Sequence, residues 1–128
     1  MRQVTMEDLG TIRFTSVPRG GAPTWVREEW VGLEVPCLFS HDGIPPNKGD
    51  ITRDVETGLE VPDYPGYIVL QAHAIVALEQ KSPEAAEYWM ERGFPDHPYA
   101  QFLFDLNSAE IVKPVMTRKE FWQRFSDA

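Results

Sequence analysis

The sequence has little of what disulfides, zinc sites and nucleic-acid surfaces are built from. Cysteine occurs once in 128 residues, so neither an internal disulfide nor a cysteine-based zinc site can form. Twelve basic side chains stand against twenty acidic ones, and the formal charge of −8 opposes binding to a phosphate backbone. Nucleic acid is therefore not an expected partner.

Long apolar runs and nucleotide-binding motifs are also missing. No segment approaches the roughly 18 apolar residues of a membrane span, and the first residues contain no apolar run of signal-peptide length. We therefore expect a cytoplasmic protein with no membrane partner. A glycine-rich phosphate motif, a P-loop and a Gly-x-Ser-x-Gly nucleophile motif do not occur, and no cofactor is predicted.

The sequence contains one ten-residue pattern that occurs twice. Residues 27–36 read Arg-Glu-x-x-x-Gly-Leu-Glu-Val-Pro, and residues 53–62 read Arg-Asp-x-x-x-Gly-Leu-Glu-Val-Pro. If the two copies pair as neighbouring strands, each arginine meets the other copy's acid, Glu34 or Glu60. Cross-strand ion pairs are the favoured interpretation, and a symmetric charged groove is the alternative.

Apolar alternation predicts two strands early in the chain. Residues 11–17 place Ile12 and Phe14 on one face. The clearest period of two follows, with apolar side chains at Val31, Leu33, Val35, Cys37 and Phe39. Pro36 has no amide hydrogen, so we expect this strand to lie at a sheet edge or to bulge at that point, with Cys37 in the core. Trp30 has the opposite parity, so it either faces outward as a recognition anchor or is covered by a second sheet or a helix, and the covered position is somewhat favoured.

Helices are predicted in the second half of the chain. Residues 71–80 fit a strand or a helix by periodicity, and their alanines favour a helix that follows a short strand. A second helix is predicted at about 83–92 and a short C-terminal one at about 117–126. The residues that delimit these two helices are Ser82, Pro83, Gly93, Thr117 and Glu120.

The predicted fold is a single α+β domain over residues 1–128. A mostly antiparallel, barrel-like sheet of about five short strands packs with the helical pair and the C-terminal helix. Segments 99–104 and 109–113 are expected to form a hairpin with a four-residue turn. The Pro/Gly-rich region at about 40–65 is expected to be a long loop.

The three histidines give no metal-binding pattern, because no two His or Cys residues have helical ligand spacing. His41 precedes Asp42, and His97 follows Asp96 in a proline-containing turn. Turn chemistry is the favoured interpretation of both pairs. The alternative is a small-molecule-binding protein or hydrolase, with a pocket between sheet and helices and with His41, Asp42 and His97 at its mouth.

The preferred functional prediction is a non-enzymatic protein-interaction or regulatory module. Its expected anchors are Trp25, Arg27, Trp30 and Arg53, beside the long loop, because exposed Trp and Arg are enriched in binding sites. An acidic inhibitor or immunity-type protein that neutralises a basic target is one specific version, suggested by size and charge. A homodimer is another, in which a second copy covers the same patch.

Overall fold

The computed structural model describes residues 5–41, 65–95, 97–98 and 100–125 of the chain. The strands in these residues are β1 Gly10–Phe14, β2 Glu34–Cys37, β3 Phe39–His41, β4 Gly66–Leu70, β5 Gln101–Asp105 and β6 Ala109–Lys113. The α-helices are α1 Thr24–Arg27, α2 Gln71–Lys81, α3 Pro83–Met90 and α4 Arg118–Phe125. This content confirms the α+β class.

The described strands form two antiparallel sheets of three strands each. One has the order β2-β1-β6 and the other has the order β3-β4-β5. The antiparallel prediction is therefore confirmed, and the expected barrel-like closure finds no support among the described strands. Because each sheet is open, each has two edge strands. The edges are β2 and β6 in the first sheet, and β3 and β5 in the second.

The hairpin expected near the C-terminus is wrong, although both of its strands exist. β5 pairs with β4, whereas β6 pairs with β1. A 3₁₀ turn, Leu106–Ser108, carries the chain from one sheet to the other. The carbonyl of Ser108 accepts hydrogen bonds from the amides of Thr15 and Ser16 at 2.8 and 3.2 Å. These contacts hold the turn at the end of β1, so β6 cannot fold back on β5.

The alternating stretch from residue 31 to residue 39 is not one strand. Gly32 has a φ of +91°, and regular strand geometry begins only at Glu34. After Cys37 the chain leaves the first sheet, and β3 belongs to the second. Val35, Cys37 and Phe39 are buried as predicted. The edge position inferred from Pro36 is confirmed, since β2 ends its sheet.

Trp30 is covered, the position that the sequence favours over an outward one. It closes a 3₁₀ turn, Glu28–Trp30, and is 1% exposed. A helical turn ahead of the strand breaks the period of two, so strand parity does not apply to this side chain. Its ring packs against the rings of Phe14, Phe102 and Phe104, with centroids 5.6, 6.0 and 5.1 Å away. Trp30 is thus at the centre of the larger hydrophobic core.

The predicted helices in the second half are confirmed with small shifts in their ends. Ser82 Oγ accepts a hydrogen bond from the Ala85 amide at 3.2 Å, which caps α3. Gly93, at φ +83°, follows the end of α3. Thr117 and Glu120 form the reciprocal capping box at the start of α4. Among the described helices, none has the length and apolar character that crossing a membrane requires.

Cys37 lies where the two sheets meet. Its thiol is fully buried and donates towards the carbonyls of Phe39 and Ile68 at 3.5 and 3.4 Å. Burial raises the pKa of the Cys37 thiol to about 12. The expected core role is confirmed. A smaller core, formed by Leu9, Leu38, Phe39, Ile68, Met116 and Phe121, lies on the α4 side.

Candidate functional site

A half-open cleft of about 270 Å³ lies between residues 18–22 and strand β5. Residues 18–22 precede α1 and are rich in glycine and proline. The aromatic walls of the cleft are Trp30, Trp89, Phe94, Phe102 and Phe104. The remaining lining residues are Pro18, Arg19, Gly20, Gly21, Ala22, Arg27, Gln71, Gln101 and Leu103. The site is therefore a mostly apolar groove with a few polar groups, the usual make-up of a binding site.

The aromatic walls continue onto the protein surface. The Trp89 ring lies 5.0 Å from Phe102 and 5.2 Å from Tyr88, both edge to face. Tyr88 in turn contacts Trp25, with ring centroids 6.0 Å apart. Trp25 is 49% exposed. One row of aromatic rings thus extends from solvent into the cleft.

The lining of the cleft has the opposite sign to the chain as a whole. The charged side chains among the described lining residues, those of Arg19 and Arg27, are both basic. The hydrogen bonds of the Arg27 guanidinium go to neutral oxygens, among them the carbonyls of Ala22 at 2.8 Å and Pro18 at 3.2 Å. Arg27 therefore holds residues 18–22 in place while its charge is not neutralised by these partners.

The edge of β5 brings backbone groups to the cleft. The Ile68 carbonyl accepts from the Leu38 amide, so the backbone groups of Ile68 point towards β3. Leu103 is the residue opposite Ile68 on β5. Because the backbone groups of Ile68 point away from β5, Ile68 and Leu103 form a non-hydrogen-bonded antiparallel pair. In such a pair the N–H and C=O of Leu103 point away from β4. They lie on the free side of the edge strand, where no described residue pairs with them.

Two other residues of β5, Gln101 and Asp105, also turn their backbone groups outward, and side-chain contacts engage both positions. The Gln71 amide donates to the Gln101 carbonyl at 3.0 Å. At the other end, the Asp105 carboxylate accepts from the backbone amide of Arg19 at 2.9 Å. These contacts fasten the two walls of the cleft to the ends of β5. Leu103, midway between them, is left open.

Two buried polar atoms of the lining residues have no hydrogen-bond partner among the described residues. They are Gln71 Oε1 and Trp89 Nε1. Gln71 as a whole residue is 5% exposed. Buried polar atoms are nearly always hydrogen-bonded, so such atoms call for a further polar group beside them. Both a donor and an acceptor are thus present near the cleft.

The residues predicted from the sequence are distributed unevenly around this cleft. Arg27 and Trp30 line it, and Trp25 ends the aromatic row. His41 is 2% exposed within β3 and is not among the described residues that line the cleft. His97 is exposed and outside the lining.

Several predicted features lie outside the described residues. They are Asp42, Arg53, Glu60 and the second copy of the repeat. Within the described first copy, Glu34 pairs with Arg13 at 3.2 Å.

Among the described residues that line the cleft there is no histidine, cysteine, carboxylate, serine or lysine. Within the described ranges no three His, Cys, Asp or Glu side chains come close enough to hold a metal ion.

No protein-family model, curated protein or solved structure matches this chain. The cleft is therefore interpreted from its own geometry. Sequence reasoning missed Gln71, Phe102 and Leu103, because a cleft wall and a core residue have the same apolar pattern. The one available signal was the stretch Pro18 to Pro23, which the sequence marks only as a turn.

Proposed function

We propose that the protein is a non-enzymatic interaction module and that its cleft receives an extended segment of a protein partner. The observation that carries this proposal is the row of aromatic rings from the exposed Trp25 to the walls of the half-open cleft. Tryptophan, tyrosine and arginine dominate the binding energy of many protein interfaces. Here they occur together at one place on the surface.

The size of the cleft supports a peptide segment as the occupant. Pockets that enclose drug-sized molecules hold roughly 300–1,000 Å³. The cleft, at about 270 Å³, lies below that range and is open on one side. One or two side chains of a partner fit such a groove while the rest of the partner stays outside.

The charge of the cleft favours an acidic segment. Arg27 supplies positive charge at the cleft, since the hydrogen bonds of its guanidinium go to neutral oxygens. Complementary charge adds to specificity and to the rate of association. The acidic-inhibitor version stays a prediction: its basic target would have to contact the acidic surface elsewhere. A cytoplasmic location belongs to the proposal, supported by a single buried cysteine.

A small-molecule-binding protein is the second candidate, and it uses the same cleft. The buried polar atoms Gln71 Oε1 and Trp89 Nε1 favour it, because one ligand with a donor and an acceptor would satisfy both. The two candidates differ in what should bind, so a single experiment separates them.

The experiment is a selection of linear peptides displayed on phage, run beside a screen of small aromatic fragments. Both use the wild-type protein and two cleft variants, Gly21→Trp and Trp89→Leu. A Cβ added at Gly21 meets no atom within 4 Å, so the new side chain can be accommodated at the cleft wall. The control is Val76→Trp, at a position on α2 that is 61% exposed and outside the lining.

We expect peptides that bind the wild type and Val76→Trp and that lose affinity in at least one cleft variant. Enriched peptides that bind both cleft variants as well as the wild type would contradict the proposal. So would a screen in which only fragments bind, and that result would assign the cleft to the second candidate.

A further inference from the structure

Three of the four sheet edges formed by the described strands are protected against pairing with another chain. β2 carries Pro36, which has no amide to donate. The Ser40 amide of β3 already donates to the Met116 carbonyl at 2.8 Å, ahead of the bridge to Thr117. β6 contains a register shift that leaves Val112 without an opposite residue. Prolines, covering segments and bulges are the usual protections of sheet edges.

The fourth edge, β5, lacks these protections at its centre: Gln71 and residues 18–22 engage its two ends, and Leu103 between them is open. Its five residues pair one to one with β4, without a register shift. It contains no proline and no lysine or arginine. The backbone groups of Leu103 face the free side, and Leu103 lines the cleft. An unprotected edge inside a binding cleft is the arrangement that receives an added strand.

We infer that the partner's segment docks by strand addition, with one of its residues exchanging both backbone hydrogen bonds with Leu103. This inference rests on the proposed function. The added strand is short, because the Gln71 side chain engages the Gln101 carbonyl and Asp105 holds residues 18–22 at the other end. One residue pair fits between these two contacts.

The register also places the partner's side chains. Residues that flank the central one lie opposite the positions of Phe102 and Phe104 and point to the same face of the sheet. That face carries Trp30, whose ring contacts both phenylalanines. The flanking positions therefore favour apolar side chains, and a neighbouring acidic residue would meet the positive charge of Arg27.

The test is an N-methyl scan of a peptide that binds the wild type and loses affinity in Gly21→Trp. Each amide of the peptide is methylated in turn, and affinity is measured by the change in tryptophan fluorescence. We expect a loss of about tenfold or more at one central position, because that amide donates to the Leu103 carbonyl. Methylation of the two adjoining amides should be tolerated, since these groups face away from β5.

Tolerance of methylation at every position, or losses at consecutive positions, would overturn strand addition while leaving peptide binding in the cleft intact. If no peptide binds in the cleft, the proposed function fails and the inference fails with it. The matched control is a peptide in which the acidic residue, Asp or Glu, is replaced by the corresponding neutral residue, Asn or Gln. It should weaken binding at low salt without changing the position of the N-methyl effect.

Discussion

The edge strands β5 and β6 end the two sheets of this protein, and they are treated in opposite ways. β6 has a register shift and exposes Ile111 and Val112 at 52% and 45%, between Glu110 and Lys113. β5 is regular, half-buried and bordered by aromatic rings. Open edges promote association, so proteins usually protect them. An edge that is left regular, beside a cleft, is best explained by a need to pair.

The surroundings of the two edges differ as much as the strands do. Glu110 of β6 pairs with Arg13 at 2.6 Å, and Arg13 also contacts Glu34 on β2. The Glu110 carboxylate is the first cause of the raised pKa of the Arg13 guanidinium. This row of charges covers the solvent face of the first sheet. The corresponding neighbours of β5 are apolar rings and two arginines, a surface that excludes water once a partner covers it.

Removal of the Trp30 ring, which lies beneath the cleft, should have the largest effect on stability. We expect Trp30→Ala to lower the free energy of unfolding by about 3–5 kcal/mol, because it leaves a cavity among Phe14, Phe102 and Phe104. Trp25→Ala is the matched control, since Trp25 is half exposed, and it should cost no more than about 1 kcal/mol. Urea unfolding measures both, and equal losses would contradict the described positions of the two rings.

A methyl group added at Gly66 in the second sheet, or at Gly10 in the first, should disturb one edge strand and leave the other in place. A Cβ at Gly66 would lie 2.5 Å from the Phe104 carbonyl oxygen and 2.8 Å from a Leu103 methyl, and so displace β5. A Cβ at Gly10 would overlap the Pro114 carbonyl oxygen and displace the end of β6. We expect each Gly→Ala change to cost about 1–3 kcal/mol in thermal or urea unfolding.

The same pair of variants tests which edge binds. Peptide affinity should fall in Gly66→Ala and remain in Gly10→Ala at a temperature where both are folded. Val76→Ala, at a position on α2 that is 61% exposed and outside the lining, is the control and should leave affinity unchanged. A loss of affinity in Gly10→Ala alone would move the binding edge to β6.

A smaller effect is expected at the covered edge, β3. Thr117→Ala removes the hydroxyl that accepts from the Glu120 amide at 3.1 Å, and a lost helix cap costs about 1 kcal/mol. Binding at the cleft should not change, because β3 and β5 lie on opposite sides of β4. Isothermal titration with a cleft-binding peptide would check this. A change in affinity above about threefold would mean that the two edges are coupled.

The smallest effect on stability at neutral pH is expected from the ionisation of Cys37, which lies between the sheets. Its pKa is raised to about 12 when folded, against about 8.5 in an unfolded chain, so the neutral thiol is favoured by folding. The stability that the neutral Cys37 thiol contributes to the fold is fully present below about pH 8.5 and is lost as the pH rises towards 12. Iodoacetamide should therefore label Cys37 at the rate of unfolding near pH 7, and rapid labelling of the folded protein would contradict this.

Local features of the fold were predictable from the sequence. The caps at Ser82, Thr117 and Glu120 act within one helical turn, so residue type and spacing suffice to locate them. The buried faces of β1 and β2 follow from alternation within a few residues. Pro36 also indicated an edge strand, because its missing amide restricts where the strand can pair.

Features that depend on distant contacts were not predictable in this way. The hairpin failed because the turn before β6 binds Thr15 and Ser16, which no local pattern shows. Strand parity could not show which residues cover Trp30, because a helical turn interrupts the strand before it. The open edge at Leu103 depends on which strands pair with β5, and strand pairing is a property of the whole sheet. The cleft could therefore be found only after the topology was known.

Amide hydrogen exchange at β5, followed by NMR, is the measurement we would use to decide whether this edge is the binding edge. In the free protein the Leu103 amide should exchange much faster than those of Phe102 and Phe104, which point towards β4. A cleft-binding peptide should protect the Leu103 amide and leave the exposed Val112 on β6 unchanged. Equal protection of Leu103, Phe102 and Phe104 in the free protein would contradict an open β5 edge.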